Sequence, residues 1–151
     1  MHAHRLNAYE IAPAGMNALR GVEAYLHQTS LGPQLIELVK LRASQINGCA
    51  YCLDMHSKAL RKGGESEQRL YLLSGWRESP LFTLRERAAL AWTDALTRIA
   101  ETQAPDEVYD ELRRHFDDKE VVDLTTLIGM INLWNRLAIS LRYVHPVGPG
   151  A

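Results

Sequence analysis

An all-α fold is predicted from three features of the 151-residue sequence. Apolar residues recur at three- and four-residue intervals, the period of a helix with one buried face. No stretch of useful length alternates apolar and polar residues as a half-buried strand would. Residues that start and stop helices stand where the apolar stripes begin and end.

A short extended N-terminal arm comes first. The first helix is then expected from about Met16 to Thr29, where Leu19, Val22, Tyr25 and Leu26 form a stripe ahead of Leu31-Gly32-Pro33. Pro33 suits the first turn of the second helix, whose leading N–H groups are unbonded anyway, and Asn47-Gly48 ends that helix. The third runs from Cys49 or Ala50 to Lys62 and closes at Gly63-Gly64. Ser66 starts a short fourth helix through Ser74, and Gly75 to Pro80 make a loop. Thr83 and Glu86 have capping-box spacing and open a long helix carrying Ala88, Leu90, Ala91, Trp92, Ala95, Leu96 and Ile99. Pro105-Asp106 open a short helix to His115. Asp117-Asp118 cap the last helix, from about Lys119 to Val144, which ends before Pro146. The sum is about six to seven helices without internal repeat. They form a single domain over 1–151 with its core at about 16–145, and the Pro/Gly-rich C-terminal tail is expected to be disordered.

The last helix carries apolar residues around nearly its whole circumference from Leu127 to Val144, broken by Asn132, Asn135, Arg136, Ser140 and Arg142. A helix apolar all round requires cover on all sides. A second subunit supplies that cover most simply, so a homo-oligomer is expected.

With 46% apolar and 23% charged residues, a net charge of −1 and scattered lysines and arginines, the chain is that of a globular protein with no basic surface. Neither nucleic acid nor an anionic membrane is an expected partner. The first residues, MHAHRLNAYEIAPAGMNAL, lack a signal peptide's apolar run, so a cytoplasmic location is expected. Two cysteines build no disulfide framework, and in a reducing compartment a Cys-x-x-Cys pair is more often catalytic, redox-sensing or metal-binding than structural.

That pair is Cys49 and Cys52, within Asn-Gly-Cys-Ala-Tyr-Cys-Leu-Asp-Met-His. At about 100° per residue, Cys49, Cys52 and His56 fall on one side of a helix. A cysteine at the helix start meets free backbone N–H groups and the positive end of the dipole, both of which stabilise a thiolate. His56, one turn beyond Cys52, is placed to exchange a proton with that thiol. Two other readings stand beside redox chemistry: packing alone, since free cysteine is commonly buried, and zinc, which lacks a fourth ligand unless Glu37 or another subunit supplies one. Haem attachment is excluded because Leu53, not histidine, follows Cys52. Nucleotide-binding glycine loops are absent from the sequence, and no cofactor is expected. Periodicity alone sets Glu37 with Lys40 and Ser44 on a polar arc, where a solvated carboxylate is the usual outcome, and sets Arg42 inside the apolar arc, where it needs a partner.

The segment ELVKLRASQINGCAYCLDMHSKALRKGG resembles the core motif of the alkylhydroperoxidase AhpD-like proteins of the carboxymuconolactone decarboxylase superfamily. In that motif a glutamate precedes a Cys-x-x-Cys by twelve residues and a histidine follows, as Glu37, Cys49, Cys52 and His56 do here. INLWNRLAISLRY resembles the family's final helix, so the likeness covers roughly Leu31 to Tyr143. The resemblance implies an all-helical oligomer with one repeat per chain, such as a hexamer built as a trimer of dimers. It also implies peroxidase chemistry: Cys52 as peroxidatic thiolate passing through a sulfenic acid, Cys49 as resolving thiol, and Glu37 and His56 as a proton relay. The position between the cysteines, often histidine in such relays, is Tyr51, whose phenol is a poorer base and leaves it a relay or pocket residue. The substrate implied is a hydroperoxide, and the electron donor an external dithiol, dihydrolipoyl-bearing or thioredoxin-like. The rivals are a non-catalytic redox sensor or stress-response protein and a decarboxylase-like lyase of the same superfamily, whose members lack the cysteine pair. His2, His4, His115 and His145 need no role beyond a mobile arm or a helix C-terminus. Asn135-Arg136 and the three tryptophans read as structural.

Overall fold

The computed structural model describes residues 3–148, and these contain helices and no strand. In chain order they are α1 (Ala8–Ile11), α2 (Pro13–Leu26), α3 (Pro33–Asn47), α4 (Ala50–Lys62), α5 (Glu67–Leu72), α6 (Leu84–Thr97), α7 (Ile99–Thr102), α8 (Asp106–Arg113) and α9 (Asp118–Ser140), with a 3-10 turn at Leu73–Gly75. Helix α3 is the hub, packed against α4, α6 and α9. One side of it, with Ile36 and Val39, joins the core formed with α6, α8 and α9 around Leu112, Leu124, Leu127 and Ile128. The other, with Leu38 and Leu41, packs on Leu60, Leu73, Trp76, Phe82 and Leu90.

The helix boundaries follow from identifiable chemistry. Thr83 with Glu86, and Asp117 with Glu120, each form a full capping box, in which the N-cap side chain and the glutamate satisfy each other's orphan backbone N–H groups. At the end of α3, Gly48 adopts a left-handed φ of 69°. Its N–H bonds to Gln45 O (3.3 Å) and that of Cys49 to Ser44 O (3.1 Å), closing a Schellman motif. Cys49 is at once the N-cap of α4. A single glycine therefore turns the corner and sets the cysteine pair at a helix start.

Several boundaries differ from the sequence expectation. Helix α2 begins three residues earlier, because Pro13 is accepted in its first turn. The expected extended arm contains the one-turn α1, capped by the Asn7 side chain on the Tyr9 N–H. The one-turn α7 was not signalled by periodicity. Helix α9 stops at Ser140, ahead of Val144, where Arg142 takes a left-handed φ of 59°. Of the tail expected to be disordered, residues 149–151 lie outside the described residues, as does His2.

Buried polar side chains are paired, with Arg142 Nε the exception among the described residues. Arg42 meets Asp94 through both ends of its guanidinium (Nε to Oδ1 2.6 Å, Nη2 to Oδ2 3.1 Å), the partner its position demanded. Between α3 and α9 runs a polar seam: Asn47 Nδ2 donates to the Asn132 and Asn135 side-chain oxygens (3.0 and 2.9 Å), and Asn135 Nδ2 donates to Ser44 Oγ (3.0 Å). The chain itself buries Leu124, Leu127, Ile128, Ile131 and Ala138 of α9, leaving Val122 exposed. Much of the cover that the sequence assigns to a second subunit thus comes from within the protomer. Among the described residues no helix is long and apolar enough to cross a membrane.

Candidate active site

Cys49 and Cys52 are joined by a disulfide, with their Cα atoms 5.3 Å apart. Both are buried, at 1% and 3% exposure, so a reagent reaches the sulfurs only through pockets in the surface. As N-cap, Cys49 Sγ accepts the Cys52 N–H (3.3 Å), an interaction that favours negative charge on that sulfur once the bond opens.

One turn into α4, His56 is buried, and its Nδ1 donates to Glu37 Oε2 of α3 at 2.7 Å. Burial pushes the Glu37 carboxyl up. The hydrogen bond from His56 and the charges of His56, Lys40 and His27 outweigh that and hold it below its ordinary value of 4.5. An ionised carboxylate can only accept, so it fixes a proton on Nδ1 and leaves Nε2 as the nitrogen free to exchange one. The polar arc of α3 that reads as solvated from the sequence is turned inward: Lys40 and Ser44 are 4% and 0% exposed. Glu37 is consequently a half-buried partner of His56.

Cys52, His56 and Glu37 share a cavity of about 360 Å³ with Tyr51, Met55 and Tyr143. Leu137, Ala138, Ala59 and Trp134 make much of the remaining wall apolar. Cys49 is not in that wall. Deeper charge is neutralised in place: Glu23 accepts from Lys40 Nζ (2.6 Å) and from Trp134 Nε1 (2.8 Å). Tyr51 stands edge-on to Tyr143, ring centroids 5.7 Å apart, in the wall rather than in a hydrogen-bonded chain with His56.

The expected residues Cys49, Cys52, His56, Glu37 and Tyr51 are therefore brought together. Sequence reasoning missed Glu23, Lys40, Trp134 and Tyr143. Only the family-like tryptophan segment of α9 offered a signal for any of them. Asn135 is structural in the seam, Trp76 and Trp92 are core residues, His115 pairs with Glu111 (3.2 Å), and His145 is half-buried with its Nδ1 2.8 Å from Pro146 O. Among the described residues no three His, Cys, Asp or Glu side chains converge as a metal site.

Residues 12–95 match the model of the carboxymuconolactone decarboxylase family. The uncharacterised protein YdfG of Bacillus subtilis is 43% identical over 139 residues, 92% of this chain and 95% of that protein. A crystal structure of a protein of unknown function from Agrobacterium tumefaciens, provisionally assigned to antioxidant defence as AhpD, superposes with a TM-score of 0.93 at 49% identity. The match covers 97% of this chain and 100% of that one. An uncharacterised peroxidase-related protein from Silicibacter sp. TM1040 has a TM-score of 0.81 at 27% identity, covering 93% of this chain and 74% of that one.

Proposed function

The chain belongs to the carboxymuconolactone decarboxylase family, in its AhpD-like branch, and from that premise we propose that it is a cytoplasmic thiol-dependent peroxidase acting on organic hydroperoxides. The observation that carries this reading is the shared cavity: a cysteine sulfur, an imidazole held by a carboxylate, and apolar walls around them.

In the reduced protein, His56 takes the Cys52 proton and the thiolate attacks the nearer peroxide oxygen. The O–O bond breaks, the alkoxide leaves with the proton returned by His56, and Cys52 becomes a sulfenic acid. Glu37 stabilises the charged imidazole between these transfers. Cys49, whose sulfur faces the helix-start N–H, then attacks Cys52 Sγ as a thiolate. Water leaves and the disulfide forms. The helix-start argument alone would favour Cys49 as the attacking sulfur. Support for Cys52 is that it, and not Cys49, lines the cavity with His56. An external dithiol, dihydrolipoyl-bearing or thioredoxin-like, restores the thiols.

Hydroperoxide consumption with dithiothreitol and a panel of dithiol donors tests the reading. Turnover that disappears in Cys52→Ser is expected. With Cys49→Ser, a single turnover that leaves a dimedone-reactive Cys52 is expected. Absence of consumption with every donor, alongside reversible oxidation of the pair, would instead make the protein a redox sensor. Assembly into a homo-oligomer through the exposed side of α9, where Val122 is 63% exposed, belongs to the same proposal. Light scattering that returned one protomer's mass would overturn it.

A further inference from the structure

The two cysteines of the disulfide line different pockets. Cys52 lines the larger cavity with His56. Cys49 lines a separate pocket of about 180 Å³ with Gly48, Ile139, Arg142 and Val144. Tyr51, Ala138 and Tyr143 border both and form the partition between them.

Arg142 is the unusual member of the smaller pocket. Its backbone is left-handed, a conformation that L residues adopt only at a cost, so the surrounding structure holds it there. Its Nε is buried and has no hydrogen-bond partner among the described residues. That Nε is closed to ligands, but no carboxylate among the described residues pairs with Arg142, so the guanidinium lining the pocket is the group that a planar carboxylate entering it would meet. The pocket has room for a short chain and is too small for the surface of a folded partner.

Building on the reading that the disulfide is turned over, but replacing its protein-borne dithiol donor, we propose that the Cys49 pocket is the port for the reductant and takes a small thiol bearing a carboxylate, which Arg142 binds. The donor thiolate attacks Cys49 Sγ, forming a donor–Cys49 disulfide. The Cys49–Cys52 bond breaks with its electron pair on Cys52, whose thiolate takes a proton from His56 or water on the cavity side. A second donor thiolate attacks the donor sulfur of the mixed disulfide and releases Cys49 as a thiolate. Two donor thiols become one disulfide, and two electrons pass to the protein. Oxidant and reductant thus reach opposite ends of one bond and do not compete for one cavity.

The test uses the oxidised full chain and no peroxide, so it is independent of peroxidase activity. Disulfide opening is timed with 3-mercaptopropionate and with its amide, each rate divided by thiolate concentration. The acid is expected to react at least tenfold faster, and in Arg142→Gln the ratio should fall to within twofold of unity. Arg142→Lys, which keeps charge but loses the fork, should fall between. Val144→Trp, at a rim position 59% exposed, should slow both thiols by narrowing the port. Rapid alkylation and mass mapping should find the trapped donor on Cys49. An acid-to-amide ratio unchanged by Arg142→Gln, or a donor trapped on Cys52, overturns the proposal. A protein that prefers the acid yet consumes no hydroperoxide would refute the peroxidase reading and leave the port standing.

Discussion

Replacing Glu37 by glutamine removes one charge and little else. The side chain keeps its length, but the hydrogen bond to His56 Nδ1, 2.7 Å in the native protein, loses its ionised acceptor. The two side chains are only 10% and 18% exposed, so solvent does not screen the pair away. A hydrogen bond to a charged group contributes about 1.5–3 kcal/mol. If that stabilisation acts on the charged imidazole formed as Cys52 ionises, it corresponds to about a 10- to 100-fold loss in the oxidation rate, at roughly 1.4 kcal/mol per factor of ten. Quenched-flow measurement of free thiol after mixing the reduced protein with an organic hydroperoxide reads that rate directly. Circular dichroism verifies the fold of each variant. Because the pair acts as one unit, Glu37→Gln combined with His56→Ala should be no slower than the worse single variant. A Glu37→Gln rate within twofold of the native protein, or losses that multiply in the double variant, would refute the relay.

Two predictions concern stability. Asp94→Asn leaves the Arg42 guanidinium, whose side chain is only 11% exposed, facing a neutral amide and weakens the acceptor of Trp76 and Arg77 as well. Breaking one side of a buried ion pair costs about 3–5 kcal/mol, or about a 10 °C fall in Tm for a chain of this size, measurable by calorimetry; a shift under about 2 °C would contradict it. The second concerns acid. Burial raises Glu37, Glu86 and Asp123, but hydrogen bonds from His56, Arg69 and Lys119 draw each below its ordinary value, while Arg85 holds Glu120 down. These groups bind protons less readily folded than unfolded. The stability they contribute is complete above the ordinary glutamate value of 4.5 and is lost as pH falls through their lower folded values. Tm should hold between about pH 7 and 5 and fall below that; a flat Tm down to pH 3 would refute the assignment.

Features written into local chemistry were legible in the sequence. The Thr83–Glu86 box, the Gly48 corner and the one-turn interval from Cys52 to His56 depend on residues close in the chain, and each has a short-range physical signature. Arg42 was legible as a demand, because a guanidinium inside an apolar arc must find a carboxylate, although nothing in the sequence singles out Asp94. Glu37 was recoverable only through its spacing to Cys49 within a family-like motif. Periodicity misreads it because the arc it shares with Lys40 and Ser44 faces a polar interior built by α2 and α9. Glu23, Trp134 and Tyr143 come from distant parts of the chain, and their convergence is a property of packing. The left-handed turn at Arg142, a residue with no preference for it, has no local signature at all.

The amide seam between α3 and α9 has a consequence for how this protein can vary. Apolar neighbours in a core tolerate exchange when volume is kept, whereas the Asn47, Asn132, Asn135 and Ser44 groups accept one another at a single sliding position. Asn47 lies two residues before Cys49, so the seam acts as a ruler for the height of the sulfurs against Ala138. Drift there would alter the tempo of thiol exchange and, because it leaves a buried amide unpaired, lower the melting temperature as well.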